Sequence, residues 1–182
     1  MCIRDSLKTT VKLPYALVDQ LSIYATVALF PLTIFAGWLS DRIGRKPVII
    51  SGLVLGTVWI QPAYQALQIF GAEYIQSGNQ NNLLTVVAIL MSLSLALALV
   101  VGPQTAFLAE LFPAKSRNSA ATLPHNLAAG WIGGMLPLII TWLNQAWGNS
   151  LAGLWYPTIF LCISALISVF YLPETHTLNL HE

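Results

Sequence analysis

Charged residues in this chain come in clusters, and the stretches between them are long and apolar. No charge falls between Asp19 and Asp41, between Lys46 and Glu73, between Glu73 and Glu110, or between Arg117 and Glu174. A helix needs about 20 mostly apolar residues to cross the hydrocarbon core of a bilayer. The pattern predicts five such spans: Ala16–Leu39, Pro47–Phe70, Leu83–Leu111, Ala120–Leu143 and Leu154–Leu172. Residues 1–15 are left as an N-terminal tail and residues 173–182 as a C-terminal tail. In the third span, Leu83–Ala109 holds fourteen Leu, Ile, Val or Phe residues. Together they favour insertion by at most about 4–8 kcal/mol. A single central charge would cost about 2.5–3.5 kcal/mol, and the span has none. Each span also carries proline: Pro31, Pro62, Pro103, Pro124 with Pro137, and Pro157. An interior proline breaks a helix in water, whereas neighbours in a membrane bundle can satisfy the freed carbonyls.

Composition narrows the class further. Of 182 residues, 56% are hydrophobic and 8% charged, and the mean hydropathy is +0.70. A soluble domain carries about 25% charged residues, so these proportions exclude a soluble globular domain and a disordered chain. The net charge of +1 gives no steering toward phosphate, which argues against nucleic acid as a partner. Cys2 and Cys162 match no disulfide, redox or zinc spacing, so neither a cofactor nor a metal is expected. An enzyme is not expected either. The chain lacks H-E-x-x-H and G-x-S-x-G motifs, and no helical spacing brings His125, His176 or His181 to Cys162.

Loop charges predict orientation. Ser40–Pro47 holds Arg42, Arg45 and Lys46, and Phe112–Ala120 holds Lys115 and Arg117. The alternate loops, Gly71–Asn82 and Asn144–Gly153, hold no Lys or Arg. Positive loops stay in the cytoplasm. Arg4, Lys8 and Lys12 on the N-terminal tail weaken this bias without reversing it. Five spans then put the N-terminus outside and the C-terminus in the cytoplasm, with Trp142, Trp147, Trp155 and Tyr156 as an aromatic belt around the last outer loop. No signal peptide is visible. An odd number of spans that begins outside is expected to continue upstream, with Met1–Ser6 a truncated or non-native start.

Small residues mark the packing faces. Gly52 and Gly56 form one GxxxG, Gly130 and Gly134 another, and Ser94, Ala98, Gly102 and Ala106 a four-residue repeat that Glu110 continues. Such stripes let helix backbones approach closely in lipid, either for ordinary tight packing or for sliding between helices.

The turn Gly37-Trp38-Leu39-Ser40-Asp41-Arg42-Ile43-Gly44-Arg45-Lys46-Pro47 carries an ordered charge pattern that a plain positive loop does not need. Gly44 permits φ > 0, Pro47 suits the first turn of the next helix, and Asp41 can pair with an Arg or face a helix N-terminus. The pattern resembles the G-x-x-x-D-R-x-G-R-[KR] signature of the major facilitator superfamily. Ala109-Glu110-Leu111-Phe112-Pro113-Ala114-Lys115-Ser116-Arg117 is similar to the A-E-x-F-P-x-x-x-R segment between helices ten and eleven of its sugar porters and metabolite:proton symporters. Asn126-Leu127, Gly130-Trp131-Ile132-Gly133-Gly134-Met135-Leu136-Pro137-Leu138 and Ala152-Gly153-Leu154-Trp155-Tyr156-Pro157 resemble the symporters for proline/betaine, citrate, shikimate and oxoglutarate. Pro173-Glu174-Thr175 resembles the ending of such carriers, with His176-Thr177 in place of Lys-Gly.

The resemblance implies an all-α membrane protein whose five transmembrane helices form most of the C-terminal six-helix half of a twelve-helix transporter. It implies an N-terminal six-helix half as partner, the lipid bilayer of the bacterial inner membrane as solvent, and a small polar metabolite, an organic acid or betaine-like zwitterion, as substrate. Protons are the expected coupling ion. In such folds the two halves rock around a midplane site. The expected latch pairs Asp41, Arg42 and Arg45 with Glu110 and Arg117 across the inner helix ends, with Gly44 and Lys46 completing the turn. Gln61, Gln104, His125 and Asn126 are candidate substrate contacts, and each could instead bond a neighbouring helix. His is also the side chain whose charge changes near neutral pH. Asp19, at the outer edge, reads as a solvated helix end. Two other functions stay open: a non-transporting membrane scaffold or sensor, and a truncated chain that is inactive alone.

Overall fold

The structure, a computed structural model, describes residues 15–77, 80–111, 122–123, 125–149 and 151–174. The expectations that fall on residues 1–14, on the 112–121 loop with Lys115 and Arg117, on Pro124, and on His176 and His181 lie outside the described residues. Among the described residues the chain is all helical. α1 is Tyr15–Ile43, α2 is Arg45–Ser77, α3 is Gln80–Leu111, α4 is Gly134–Trp147 and α5 is Trp155–Tyr171. A π-helical stretch, Ala128–Gly133, leads into α4, and a 3₁₀ turn, Ala152–Leu154, leads into α5. Five helical stretches are long and apolar enough to cross a membrane. α2 runs on beyond the apolar run that ends at Phe70, because the helix does not stop where the hydrocarbon does.

Packing order follows the small residues. α1 and α2 both lie along α3, and α5 packs on α2, so the row reads α1, α3, α2, α5. A Cβ at Gly52 of α2 would sit 2.8 Å from Leu99 Cβ and from Val100 Cγ2 of α3. A Cβ at Gly102 of α3 would sit 2.8 Å from the Thr33 carbonyl oxygen and 2.9 Å from Ala36 Cβ of α1. With little hydrophobic force between helices in lipid, such close approach supplies the packing energy. Ser94 and Ala98, on the same stripe of α3, are buried.

The core forms two clusters. Leu21, Ala63, Tyr64, Leu67, Val86, Ile89, Leu90 and Leu154 meet at one end, and Ile49, Leu53, Phe107 and Ala165 meet toward the other. Elsewhere large apolar side chains face outward, among them Val27, Phe30, Val58, Leu138 and Phe170. Such a surface is stable in oil and not in water. Hydroxyls are satisfied within their own helices: Thr26 donates to the Ser22 carbonyl, Thr57 to Leu53 and Ser94 to Leu90.

α4 stands apart from this row. Its described contacts are with the π stretch, the 3₁₀ turn and the start of α5. Gly148, at φ 62°, ends it in the left-handed region. Asn144 Oδ1 accepts the Gly153 N–H at 2.7 Å, and a Cβ at Gly153 would meet the Ile140 backbone at 2.7 Å. The Gly130/Gly134 pair is not a packing seam among the described residues, since a Cβ at either would meet nothing within 4 Å. Spacing alone marks a face that can approach a neighbour. No described helix reaches this one.

Candidate functional site

α1 ends at Ile43 and α2 begins at Arg45, so the chain reverses on Gly44 alone. Gly44 takes φ 116°, a conformation that suits glycine, and its N–H donates to the Ser40 carbonyl at 3.0 Å. A Cβ there would fall 2.7 Å from Glu174 Oε2. Turn and neighbour both require the missing side chain.

The reversal puts the Arg45 guanidinium, its side chain 10% exposed, between three helix ends. Its Nη2 donates to Glu110 Oε1 at 2.9 Å, and Nε shares the same carboxylate at 3.3 Å. Nη1 donates to Ser40 Oγ at 3.0 Å and to the Asp41 carboxylate. Ser40, fully buried, donates its own O–H to the Gly37 carbonyl at 2.7 Å. A buried arginine is tolerated only when its donors are met, and here α1 supplies Ser40 and Asp41 while α3 supplies Glu110. Asp41 remains mostly exposed, whereas Glu110 is largely covered.

Glu174, just past α5, closes the fourth side. Its Oε1 accepts the Arg45 N–H at 2.8 Å and its Oε2 the Lys46 N–H at 3.2 Å. The first turn of a helix leaves its N–H groups unpaired and carries positive charge. Gly44 has no side chain to cap them, so a carboxylate from the far end of the chain does so. The sequence analysis offers Asp41 either an arginine or a helix N-terminus. In the structure Asp41 takes the arginine, and Glu174 takes the N-terminus. Glu174 was absent from the latch read from sequence. Its signal was the helix start Gly44-Arg45, which lacks a Ser, Thr, Asp or Asn cap.

The other predicted residues separate into three places. Arg42 lies outside the cluster, its guanidinium 4.2 Å from the centre of the Trp38 ring. Gln61 Nε2 lies 3.4 Å from Thr158 Oγ1, on the seam between α2 and α5. Gln104 of α3 and His125 come together, with Gln104 Nε2 3.3 Å from His125 Nδ1. Asn126, next to them, lines an open depression of about 960 Å³ with Leu127, Gly130, Trp131 and Met135.

The turn that bears the signature thus holds its two arginines, its aspartate and its glycine in distinct structural roles. The sequence profile of the Major Facilitator Superfamily matches residues 6–181. The chain belongs to that superfamily. Among relatives of this Major Facilitator Superfamily chain is an ectoine/proline transporter of Corynebacterium glutamicum, 29% identical over 75% of this chain and 25% of the relative. A citrate-proton symporter of Klebsiella pneumoniae is 32% identical over 75% of this chain and 28% of its own length. A shikimate transporter of Escherichia coli is 31% identical over 72% of this chain and 27% of its own length. The chain therefore spans about a quarter of the length of these curated relatives. No solved structure gives a significant match.

Chemically, the Arg45 cluster can make and break charge-assisted hydrogen bonds between helix ends. The Gln104–His125–Asn126 group offers amide and imidazole donors and acceptors beside an apolar wall.

Proposed function

We propose that this chain is part of a secondary active transporter that moves a small polar metabolite, an organic acid or a proline- or betaine-like zwitterion, across the bacterial inner membrane with proton coupling. The family and the transport of citrate, shikimate, proline and ectoine by its relatives support the substrate class. The charged turn sits in the cytoplasm, the N-terminus outside and the C-terminus inside. An N-terminal half completes the carrier, and the two halves rock around a site between them.

One observation carries the mechanistic part: a single guanidinium, Arg45, bonds at once to the ends of α1 and α3 and stands at the head of α2, whose N–H groups Glu174 holds. Such a joint has two discrete states, bonded and parted. We assign the bonded state to the outward-open carrier, with Arg117 of the adjoining loop as a further member. Substrate shifts the balance only by its unequal affinity for the two states. Gln104, His125 and Asn126 form the candidate substrate wall, and Gln61 stands apart as an interhelical tie.

Liposomes bearing the carrier that contains this chain test the reading. Uptake of one of citrate, shikimate, proline or ectoine, faster under an inward proton gradient, is the expected result. No uptake of any of them rejects the substrate class, and indifference to the gradient rejects proton coupling. Asp41→Asn is expected to change the inward-to-outward ratio, read by cysteine accessibility from each side. An unchanged ratio rejects the latch.

A further inference from the structure

The candidate substrate wall holds one side chain that can change charge near neutral pH. The spans carry no Asp, Glu, Lys or Arg between Lys46 and Glu73, between Glu73 and Glu110, or between Arg117 and Glu174. His125 is the sole imidazole among the described residues, and it heads the fourth membrane-length stretch, His125–Trp147. Imidazole gains and loses its proton between about pH 5 and about pH 8.

The two sides of the Gln104–His125 contact are held differently. Gln104 stands on a fixed base. Pro103, beside it, is fully buried, and a Cβ at Gly102 would fall 2.9 Å from Ala36 Cβ of α1. His125 stands on an irregular base. The π stretch begins at Ala128, and a π turn is a place where a helix can change course. Beyond it the stretch is anchored again, where Asn144 Oδ1 accepts the Gly153 N–H at 2.7 Å. Movement therefore falls on the His125 side, between the anchor at Asn144 and the contact with Gln104.

That contact is of a kind a proton rewrites. Gln104 Nε2 lies 3.3 Å from His125 Nδ1. An amide nitrogen only donates, so Nδ1 accepts, and the imidazole is neutral with its hydrogen on Nε2. A proton added to Nδ1 makes that atom a donor. The Gln104 amide then turns to offer Oε1. A long neutral N–H···N bond becomes a charge-assisted N–H···O bond, which is shorter and about twice as strong. Of other charged or titratable groups on the elements around His125, α3 brings Glu110, which is bonded to Arg45. The π stretch and α4 bring none, and Lys115 and Arg117 precede His125 in the loop outside the described residues.

We propose that His125 Nδ1 is a proton-binding site, and that its protonation clasps the head of the fourth stretch to Gln104 of α3. The site belongs to the proton-coupled carrier proposed above and rests on that reading. A bound proton draws the wall beside Asn126 toward α3. Loss of the proton lets the wall swing about the π stretch.

The test uses the whole carrier that contains this chain, in nanodiscs without substrate and in a background without other cysteines. Spin labels on Leu97→Cys of α3 and on Leu127→Cys report the separation of the two sides by double electron–electron resonance. The measurement is made at about pH 8 and at about pH 5, on either side of imidazole titration. A gain equal to one neutral hydrogen bond changes a two-state ratio about fivefold, so the near-to-far ratio should rise about fivefold at the lower pH. His125→Gln, which stays polar but does not titrate, should hold the ratio constant between the two conditions, and Gln104→Leu should do the same. Nitrogen-15 resonances of labelled histidine, assigned by their loss in His125→Gln, should show Nδ1 bare at the higher pH and protonated at the lower. A wild-type ratio that stays constant or falls at the lower pH overturns the proposal. So does a response that survives His125→Gln, or an Nδ1 that stays bare throughout. Because substrate is absent, this result is separate from that of the uptake assay. A carrier that moves none of the four metabolites yet shows the response keeps the clasp and loses the substrate class. Proton-driven uptake with a constant ratio keeps the carrier and loses the clasp.

Discussion

Arg45 and Glu110 show how much depends on single residues in this chain. Both side chains are largely covered, and they pair with each other at 2.9 Å. Removing one partner of a buried pair leaves an uncompensated charge, at a cost of about 3–5 kcal/mol. Glu110→Ala is thus expected to destabilise the chain by that order, read by thermal unfolding in detergent. Asp41 is different, because its carboxylate is 61% exposed. Asp41→Asn should cost no more than about 1 kcal/mol of stability, so its effect should be read in conformational balance rather than in folding. At Gly44 an added methyl would meet the Glu174 carboxylate and would hold a left-handed backbone. Gly44→Ala is expected to cost about 1–3 kcal/mol, and Glu174→Ala about 1 kcal/mol as a lost helix cap. The two losses should overlap in the double variant, since both act on the same contact.

At the level of helices, the sequence made α1 to α3 legible because each apolar run is long and charge-free. Their partners were less so. Gly52 and Gly102 lie where backbones nearly touch, and Gly130 lies on an open face. All three occur in similar small-residue patterns. Gly52→Ala must therefore push α2 from α3, with a cost of about 1–3 kcal/mol from overpacking, whereas Gly130→Ala should change stability by no more than about 0.5 kcal/mol. Unfolding in detergent separates the two. The π stretch Ala128–Gly133 had no clear mark in the sequence beyond its two glycines. The extra backbone freedom there permits an irregular turn but does not demand one.

For the whole molecule, α1, α3, α2 and α5 make one packed row, while α4 is tied in through Asn144, Gly153 and Ile140. Residues distant in sequence meet at both ends of that row. Leu21 and Leu154 share a cluster at one end, and Glu110 and Glu174 share the Arg45 turn at the other. The proposed orientation gives these ends opposite exposures. A cysteine placed at Gln80 should react with an impermeant maleimide in intact cells. One placed at Lys46 should react only after the membrane is opened. The reverse pattern would invert the topology and remove the cytoplasmic latch.

The amino-acid order alone determined the solvent, the helices and the family. Transfer of apolar side chains into lipid is a local sum over each run, and the signature turn is contiguous. It also supplied most members of the charged joint, because Asp41, Gly44 and Arg45 lie in one turn and Glu110 continues a readable stripe. Tertiary structure decided which charges meet. Arg42 and Arg45 are three residues apart, yet one stacks on Trp38 and the other is buried between helix ends. Glu174 reaches the turn only because α5 returns along α2. Pairing depends on where helices end in space, and that is set by backbone contacts such as Gly52 on Leu99 and Gly102 on Ala36, which no single stretch of sequence contains.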